Sequence, residues 1–314
     1  MSKHDHPHHH DHGHAHGGHS HSHLPANFGR AFAIGIGLNA AYVGAEAFSG
    51  IEANSLALLA DAGHNLGDVL GLLAAWGASL LSRRRPGGRY TYGLRGSTIL
   101  AALGNAVVLL VVTGGIAWEA IRRLASPEEA AGLTIIIVAA IGVLINGVTA
   151  FLFMAGRKDD LNIKATFFHM ASDALVALGV VIAGALILWT GWHWLDPAIS
   201  LVISLVIVVG TWSLLRDSVN LALDAVPEGI DRDAVARYLA SLPGITAVHD
   251  LHIWGMSTTE TALTAHLVRP DASPADVFLQ RACHELDERF GIVHATIQLE
   301  TREDACRLAP DEVV

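Results

Sequence analysis

The sequence predicts an α-helical membrane domain of six spans followed by a small soluble α+β domain. Three observations carry that prediction. From Phe28 to Val219, long apolar runs alternate with short polar joints, and a helix that crosses a bilayer needs about 20 apolar residues. Charged residues make up 16% of the 314 positions, against about a quarter in an ordinary soluble domain. The deficit is concentrated in the first two thirds. From about Val226 the composition becomes that of a soluble domain, with the change at Asp224–Pro227. The chain is therefore expected to divide into a disordered tail over 1–25, a membrane domain over 26–224, a cytosolic domain over 225–305 and a short tail over 306–314.

The opening stretch, MSKHDHPHHHDHGHAHGGHSHSH, has no apolar core like that of a signal peptide and little that could enter a folded interior. Its histidines interleave with Asp, Gly and Ser rather than forming one run, unlike an expression tag. Clustered histidines bind transition metals weakly and adaptably. The tail reads as a metal buffer, with a solubilising role as the alternative.

Spans are expected at about 28–49, 56–81, 97–123, 132–156, 161–189 and 195–218. Ser126-Pro127-Glu128-Glu129 offers a cap, a first-turn proline and a carboxylate three residues after the cap, so it is expected to open the fourth helix. Basic residues set the orientation. Arg30, the joint with Arg83, Arg84, Arg85, Arg89 and Arg95, the joint with Arg157, Lys158 and Lys164, and Arg216 all fall on one side of a six-span chain; only Arg122 and Arg123 dissent. Both termini and the soluble domain are then cytoplasmic. The formal charge of −10, with no basic stripe, excludes a nucleic-acid partner. Cys283 and Cys306 form no CxxC pair, so a disulfide scaffold is not expected.

Inside the second span, LLADAGHNLGDVLGLLAAW places His64 and Asp68 four residues apart, and the fifth repeats the spacing with His169 and Asp173. Such pairs share one helix face. The spans run in opposite directions and each histidine lies about eight residues in, so at 1.5 Å per residue both pairs reach similar depth near the bilayer midplane. Ionisable groups are costly there and are usually functional. Two imidazoles and two carboxylates suit tetrahedral Zn²⁺. Asp61, one turn before His64, is placed to hold that ring's other nitrogen or to line an outer vestibule. Asn39, Glu46, Asn105 and Asn146 are pathway or supporting candidates, with plain interhelical hydrogen bonding as the alternative for the asparagines.

In the soluble part, Asp231 caps a helix over 231–242 whose apolar face is Val235, Tyr238, Leu239 and Leu242. AVHDLHIW and TALTAHLV alternate as strands, Ser273-Pro274 opens a second helix to about Arg289, and HATIQLE is a third strand. The order α-β-β-α-β suits a helix pair on one sheet face. His252, three along from His249, is expected on the opposite strand face.

The segments SLALLADAGHNLGDVLGL, YTYGLRGSTILAALGN, WEAIRRLASPEEA, LNIKATFFHMASDALVALGV, LDPAISLVISLVIV and VHDLHIWGM together resemble the cation diffusion facilitator family, and look like its bacterial zinc-exporting branch. The resemblance implies a six-helix transport domain, a ferredoxin-like cytosolic domain, a homodimer in the bacterial inner membrane, and exchange of a divalent metal for protons. It matches His64, Asp68, His169 and Asp173 to transport-site ligands. Manganese-type members carry Asp where His64 stands, which favours zinc here. His249 and His266 match cytosolic zinc positions. Gln298 stands where some members have a ligand histidine, with Glu300 and Cys306 as candidate substitutes.

The expected activity is proton-coupled Zn²⁺ export, with Cd²⁺, Co²⁺, Ni²⁺ or Fe²⁺ as alternative cargo and a non-transporting metal sensor as a further alternative. The expected partners are the metal ion, protons, membrane lipid and a second copy. An intramembrane metalloenzyme is disfavoured, because the sequence has no HExxH and four protein ligands leave no open position for a catalytic water.

Overall fold

The structure is a computed structural model that describes residues 30–154, 161–270, 275–302 and 306. The His-rich tail, Arg157, Lys158 and the Ser273-Pro274 helix start lie outside the described residues. Six long helices come first: α1 (Arg30–Glu52), α2 (Leu56–Ser82), α3 (Ser97–Ala125), α4 (Gly132–Phe153), α5 (Leu161–Thr190) and α6 (Leu195–Ala222). Helices α2 to α6 each contain a stretch long and apolar enough to cross a membrane. The 23 residues of α1 would reach about 34 Å at 1.5 Å per residue, which also suffices.

Helix α1 packs along α2, α2 along α3, α3 along α6, and α4 along α5, while α2 also touches α5 and α6. With lipid on one side, apolarity alone cannot hold such helices together, so close backbone approach matters. At the α4–α5 crossing, a β-carbon on Gly184 would lie 2.9 Å from Ile135 and one on Gly132 would lie 2.9 Å from the Gly184 carbonyl. Only glycine fits at either position.

The start of α2 is locked to α6. Ser55 caps α2, its Oγ accepting from the Leu58 N–H at 3.2 Å. Asp196, in the first turn of α6 and 2% exposed, accepts from Ser55 Oγ at 2.5 Å, Leu56 N–H at 2.6 Å and Ala57 N–H at 3.3 Å. A buried carboxylate thus meets the free N–H groups and positive dipole end of α2. This fixes the height of α2, and with it His64 and Asp68, against its neighbours.

The fourth helix does not begin at Ser126. That residue closes α3, its N–H donating to Arg122, and α4 starts at Gly132. The intervening segment docks on the α1–α2 turn instead. Ala131 N–H donates to the Ala53 carbonyl, and Asn54 donates to Glu128 at 3.0 Å. Asn54 and then the Arg123 guanidinium hold the Glu128 carboxyl below its ordinary range. The tertiary partners of the would-be capping box outcompete the local helix start.

The soluble domain contains α7 (Arg232–Ala240), β1 (Ala247–Gly255), β2 (Thr261–Val268), α8 (Ala275–Phe290) and β3 (His294–Glu300). Asp231 caps α7 through the N–H groups of Asp233 and Ala234. The sheet order is β1-β2-β3, antiparallel then parallel. Val235, Leu239, Leu263, Leu267, Leu286 and Ile292 are almost wholly buried between the sheet and the two helices; truncating one such leucine to alanine costs about 2–5 kcal/mol. The domain meets the helices at the far end of α2 and α3. Arg95 pairs with Glu260 at 2.9 Å, and Thr258 N–H donates to Thr98 Oγ1 at 3.0 Å.

Candidate metal centres

Helices α2 and α5 bring His64, Asp68 and Asp173 into one cluster, with His169 at its edge against Asp68 and Asp173. His64 Nε2 on α2 lies 3.2 Å from Asp173 Oδ1 on α5. His169 Nε2 on α5 lies 3.3 Å from Asp68 Oδ2 on α2 and 3.6 Å from Asp173 Oδ2 on its own helix. Ligand atoms of His64, Asp68 and Asp173 all fall within 4.8 Å of one another. Tetrahedral ligands about 2.0–2.1 Å from Zn²⁺ stand about 3.3–3.4 Å apart, close to the His64–Asp173 and His169–Asp68 separations, while the His64 and His169 ring centroids stand 6.2 Å apart. The cluster is unevenly open: the Asp173 side chain is 4% exposed and that of His169 44%.

Asp61 does not hold His64. The Nδ1 of His64 is buried without a hydrogen-bond partner. Asp61, 2% exposed, instead hydrogen-bonds Glu46 of α1, which is fully buried. Glu46 also accepts from Tyr42 Oη at 3.0 Å and Asn65 Nδ2 at 3.1 Å. This buried acidic pair lies one helical turn from His64. Asn105 of α3 packs on Gly71 of α2, with its Oδ1 buried and unpaired. Asn39 is exposed on α1 and Asn146 half-buried on α4. Glu119 pairs with Arg122 and Arg123 near the end of α3.

The soluble domain carries a second cluster on the sheet face opposite α7 and α8. His249 and His266 are cross-strand partners, and His266 lies beside Gln298 of β3. His249 Nε2 is 3.2 Å from Glu300 Oε2; His266 Nδ1 is 3.1 Å from Glu300 Oε1 and 3.3 Å from Cys306 Sγ. Ligand atoms of these four residues lie within 4.8 Å of one another. Both ring nitrogens of His249 and Oε2 of Glu300 are buried with no aligned hydrogen bond. Buried polar atoms left in this way are expensive, and an N/O/S set converging on one point fits Zn²⁺. Gln298 donates to Glu300 at 2.8 Å and so braces a ligand candidate. Cys283 stands apart on α8, and burial pushes its thiol up, which keeps it from acting as a thiolate.

The placement of His252 overturns the expectation from strand alternation. His249 pairs with His266, but His252 pairs with Thr264, so three residues of β1 span two of β2. The extra residue is a β-bulge, with Asp250 in left-handed backbone at φ 50°. The bulge returns His252 to the same face as His249. Asp250 then lies between two imidazoles, 2.8 Å from His252 Nε2 and 3.4 Å from His266 Nε2. Nothing in the alternation of VHDLHIW signals it.

The sequence model described as the cation efflux transmembrane domain matches residues 32–221, and that described as the cation efflux protein cytoplasmic domain matches 227–302. The "Cadmium, cobalt and zinc/H(+)-K(+) antiporter" of Bacillus subtilis is 35% identical over 83% of this chain and 85% of its own. The "Metal cation efflux system protein CzcD" of Cupriavidus metallidurans is 35% identical over 88% of both chains. "Zinc transporter ZitB" of Escherichia coli is 37% identical over 87% of this chain and 88% of its own.

Proposed function

The chain belongs to the cation efflux family of membrane transporters, and from that premise we propose that it exports Zn²⁺ from the cytoplasm in exchange for protons, by alternating access around His64, Asp68, His169 and Asp173. It is a metal-cation efflux protein and not an enzyme. The observation that carries the proposal is the cross-helix pairing of both histidines with aspartates, each pair at a distance that two ligands of a tetrahedral ion would have.

These ligands bind metal only when deprotonated, so metal and protons compete for the same atoms. Imidazole changes charge near neutral pH, which lets an inward proton gradient strip the ion once the site faces outward. The basic joints support a cytoplasmic position for both termini and for the cytosolic domain, in a bacterial inner membrane. In that orientation the more exposed Asp68 and His169 lie on the cytoplasmic side of the cluster. The buried Asp173 and the Glu46–Asp61 pair close the outer side. That is the arrangement of a site loaded from the cytoplasm. Asn105 lines the path beside α2 at Gly71.

In the cytosolic domain, His249, His266, Glu300 and Cys306 would hold a resident Zn²⁺. That ion would tie all three strands to the C-terminal segment and steady the face through which we propose a second copy docks. The names of the relatives extend the cargo to Cd²⁺ and Co²⁺ as candidates beside Zn²⁺, and an N₂O₂ site has no chemistry that bars them. The test is flux of each ion into liposomes carrying purified protein. Zn²⁺ uptake that vanishes in Asp173→Asn supports the proposal; uptake that persists in the variant would refute the site.

A further inference from the structure

We propose that Asp250 is a positioning residue that sets His266 for metal binding; this rests on the reading of His249, His266, Glu300 and Cys306 as a metal site. The His266 ring has two occupied edges. Its Nδ1 faces Glu300 Oε1 at 3.1 Å and Cys306 Sγ at 3.3 Å. Its Nε2 faces Asp250 Oδ2 at 3.4 Å. A neutral imidazole carries one N–H, and the partner at one nitrogen decides which nitrogen keeps it. An ionised carboxylate can only accept. Carboxylates thus face both ring nitrogens, Glu300 at Nδ1 and Asp250 at Nε2; with a cation on the Glu300–Cys306 side Nδ1 becomes the ligand atom, and Asp250 is placed to accept the proton that then stays on Nε2.

The backbone is arranged for this placement. Asp250 is one of three non-glycine residues at positive φ among the described residues. A left-handed conformation is unfavourable for an ordinary side chain, and Asp and Asn are the residues that best tolerate it. The bulge between His249 and His252 supplies the extra residue. In a regular strand His249 and Asp250 would point to opposite faces, and the carboxylate would enter the core that Leu263 helps form while Leu251 turned away from it. Instead it reaches the metal face, at 11% exposure, with its other oxygen held by His252 at 2.8 Å. Strain maintained at such a point signals a local task. A carboxylate behind a metal-binding histidine is worth about 10–100-fold in metal affinity.

The test uses the full chain purified in detergent and titrated with Co²⁺. Thiolate-to-cobalt absorption reports Cys306 alone, because the transport site has no sulfur and the Cys283 thiol is remote from the cluster. Thermal unfolding of the metal-free protein is measured beside it. Asp250→Gly removes the carboxylate and accepts left-handed backbone without penalty. It should bind Co²⁺ about 10–100-fold more weakly while the metal-free protein unfolds no earlier than wild type. Asp250→Asn keeps the backbone and an acceptor oxygen but loses the charge, and should fall between the two. Unchanged Co²⁺ affinity in Asp250→Gly overturns the inference. So does a weakened Asp250→Gly that also unfolds earlier while Asp250→Asn binds like wild type, since Asp250 would then serve only the fold. If wild type itself shows no thiolate–cobalt absorption, the reading of the four residues as a metal site fails, and the inference with it.

Discussion

His64 of α2 reaches Asp173 of α5 at 3.2 Å, across 109 residues of chain, rather than Asp68 one turn along its own helix. The two helices are thus stitched together at the cluster by the ligands themselves. Each histidine lies against a carboxylate of the opposite helix. An ion bound there would replace those direct contacts, so the proposed cargo site and helix–helix packing would be coupled at one point.

Removing Asp173 tests that coupling. Asp173→Asn keeps the shape and a hydrogen-bond acceptor for His64 but removes a charged ligand. Zinc flux should fall by more than the ~10–100-fold that losing an outer partner of a metal ligand costs. The protein should still elute as a single species in size-exclusion chromatography. Wild-type flux from this variant would show that the ion takes another route.

His64→Asp alters selectivity. Replacing an imidazole by a carboxylate hardens the site, so Mn²⁺ transport should rise relative to Zn²⁺. Competition between the two ions in the same liposomes measures the ratio; an unchanged ratio would mean that His64 does not contact the cargo.

Glu46 anchors Tyr42, Asn65 and Asp61 in an otherwise apolar layer. Glu46→Ala leaves the Tyr42 hydroxyl and the Asn65 amide without their acceptor, at about 1–3 kcal/mol for each buried group. Glu46→Gln retains an acceptor oxygen, and Asn65 can turn its amide to suit. The alanine variant should unfold several degrees earlier in detergent and the glutamine variant close to wild type. Equal unfolding of the two would remove Glu46 from any organising role.

Deleting residues 4–23 takes away the histidines of the N-terminal tail. If they buffer zinc near the entrance, transport should drop at scarce zinc and remain intact at saturation. Complete loss at saturating zinc would place the tail in the translocation step itself.

The features readable in the sequence were those with a short period. Twenty-residue apolar runs gave the helices, alternation gave β1 to β3, and the repeated His–x₃–Asp spacing picked out the four side chains that meet between α2 and α5. What escaped was decided between elements. Spacing along α2 and α5 put each His and Asp on one helix face, but which histidine meets which aspartate was set by the packing of the two helices. Ser126-Pro127 carried every local mark of a helix start, yet Asn54, Arg123 and Ala53 drew that segment elsewhere. Asp61 pointed at His64 by helical geometry, but it packs against Glu46, a buried acid on α1, and leaves the His64 Nδ1 without a hydrogen bond. The bulge at Asp250 shifts strand parity by one residue and leaves no compositional trace, so the face of His252 was not legible.

Proton coupling is the central claim, and zinc uptake into inside-out vesicles with an acidic lumen tests it most directly. A zinc-sensitive dye in the lumen follows accumulation before and after a protonophore collapses the pH difference. Metal held by two imidazoles and two carboxylates must yield those atoms to protons when it leaves. Uptake against a zinc gradient should therefore stop on collapse and be absent throughout in Asp173→Asn. Uphill uptake that continues after the proton gradient is gone would contradict the account.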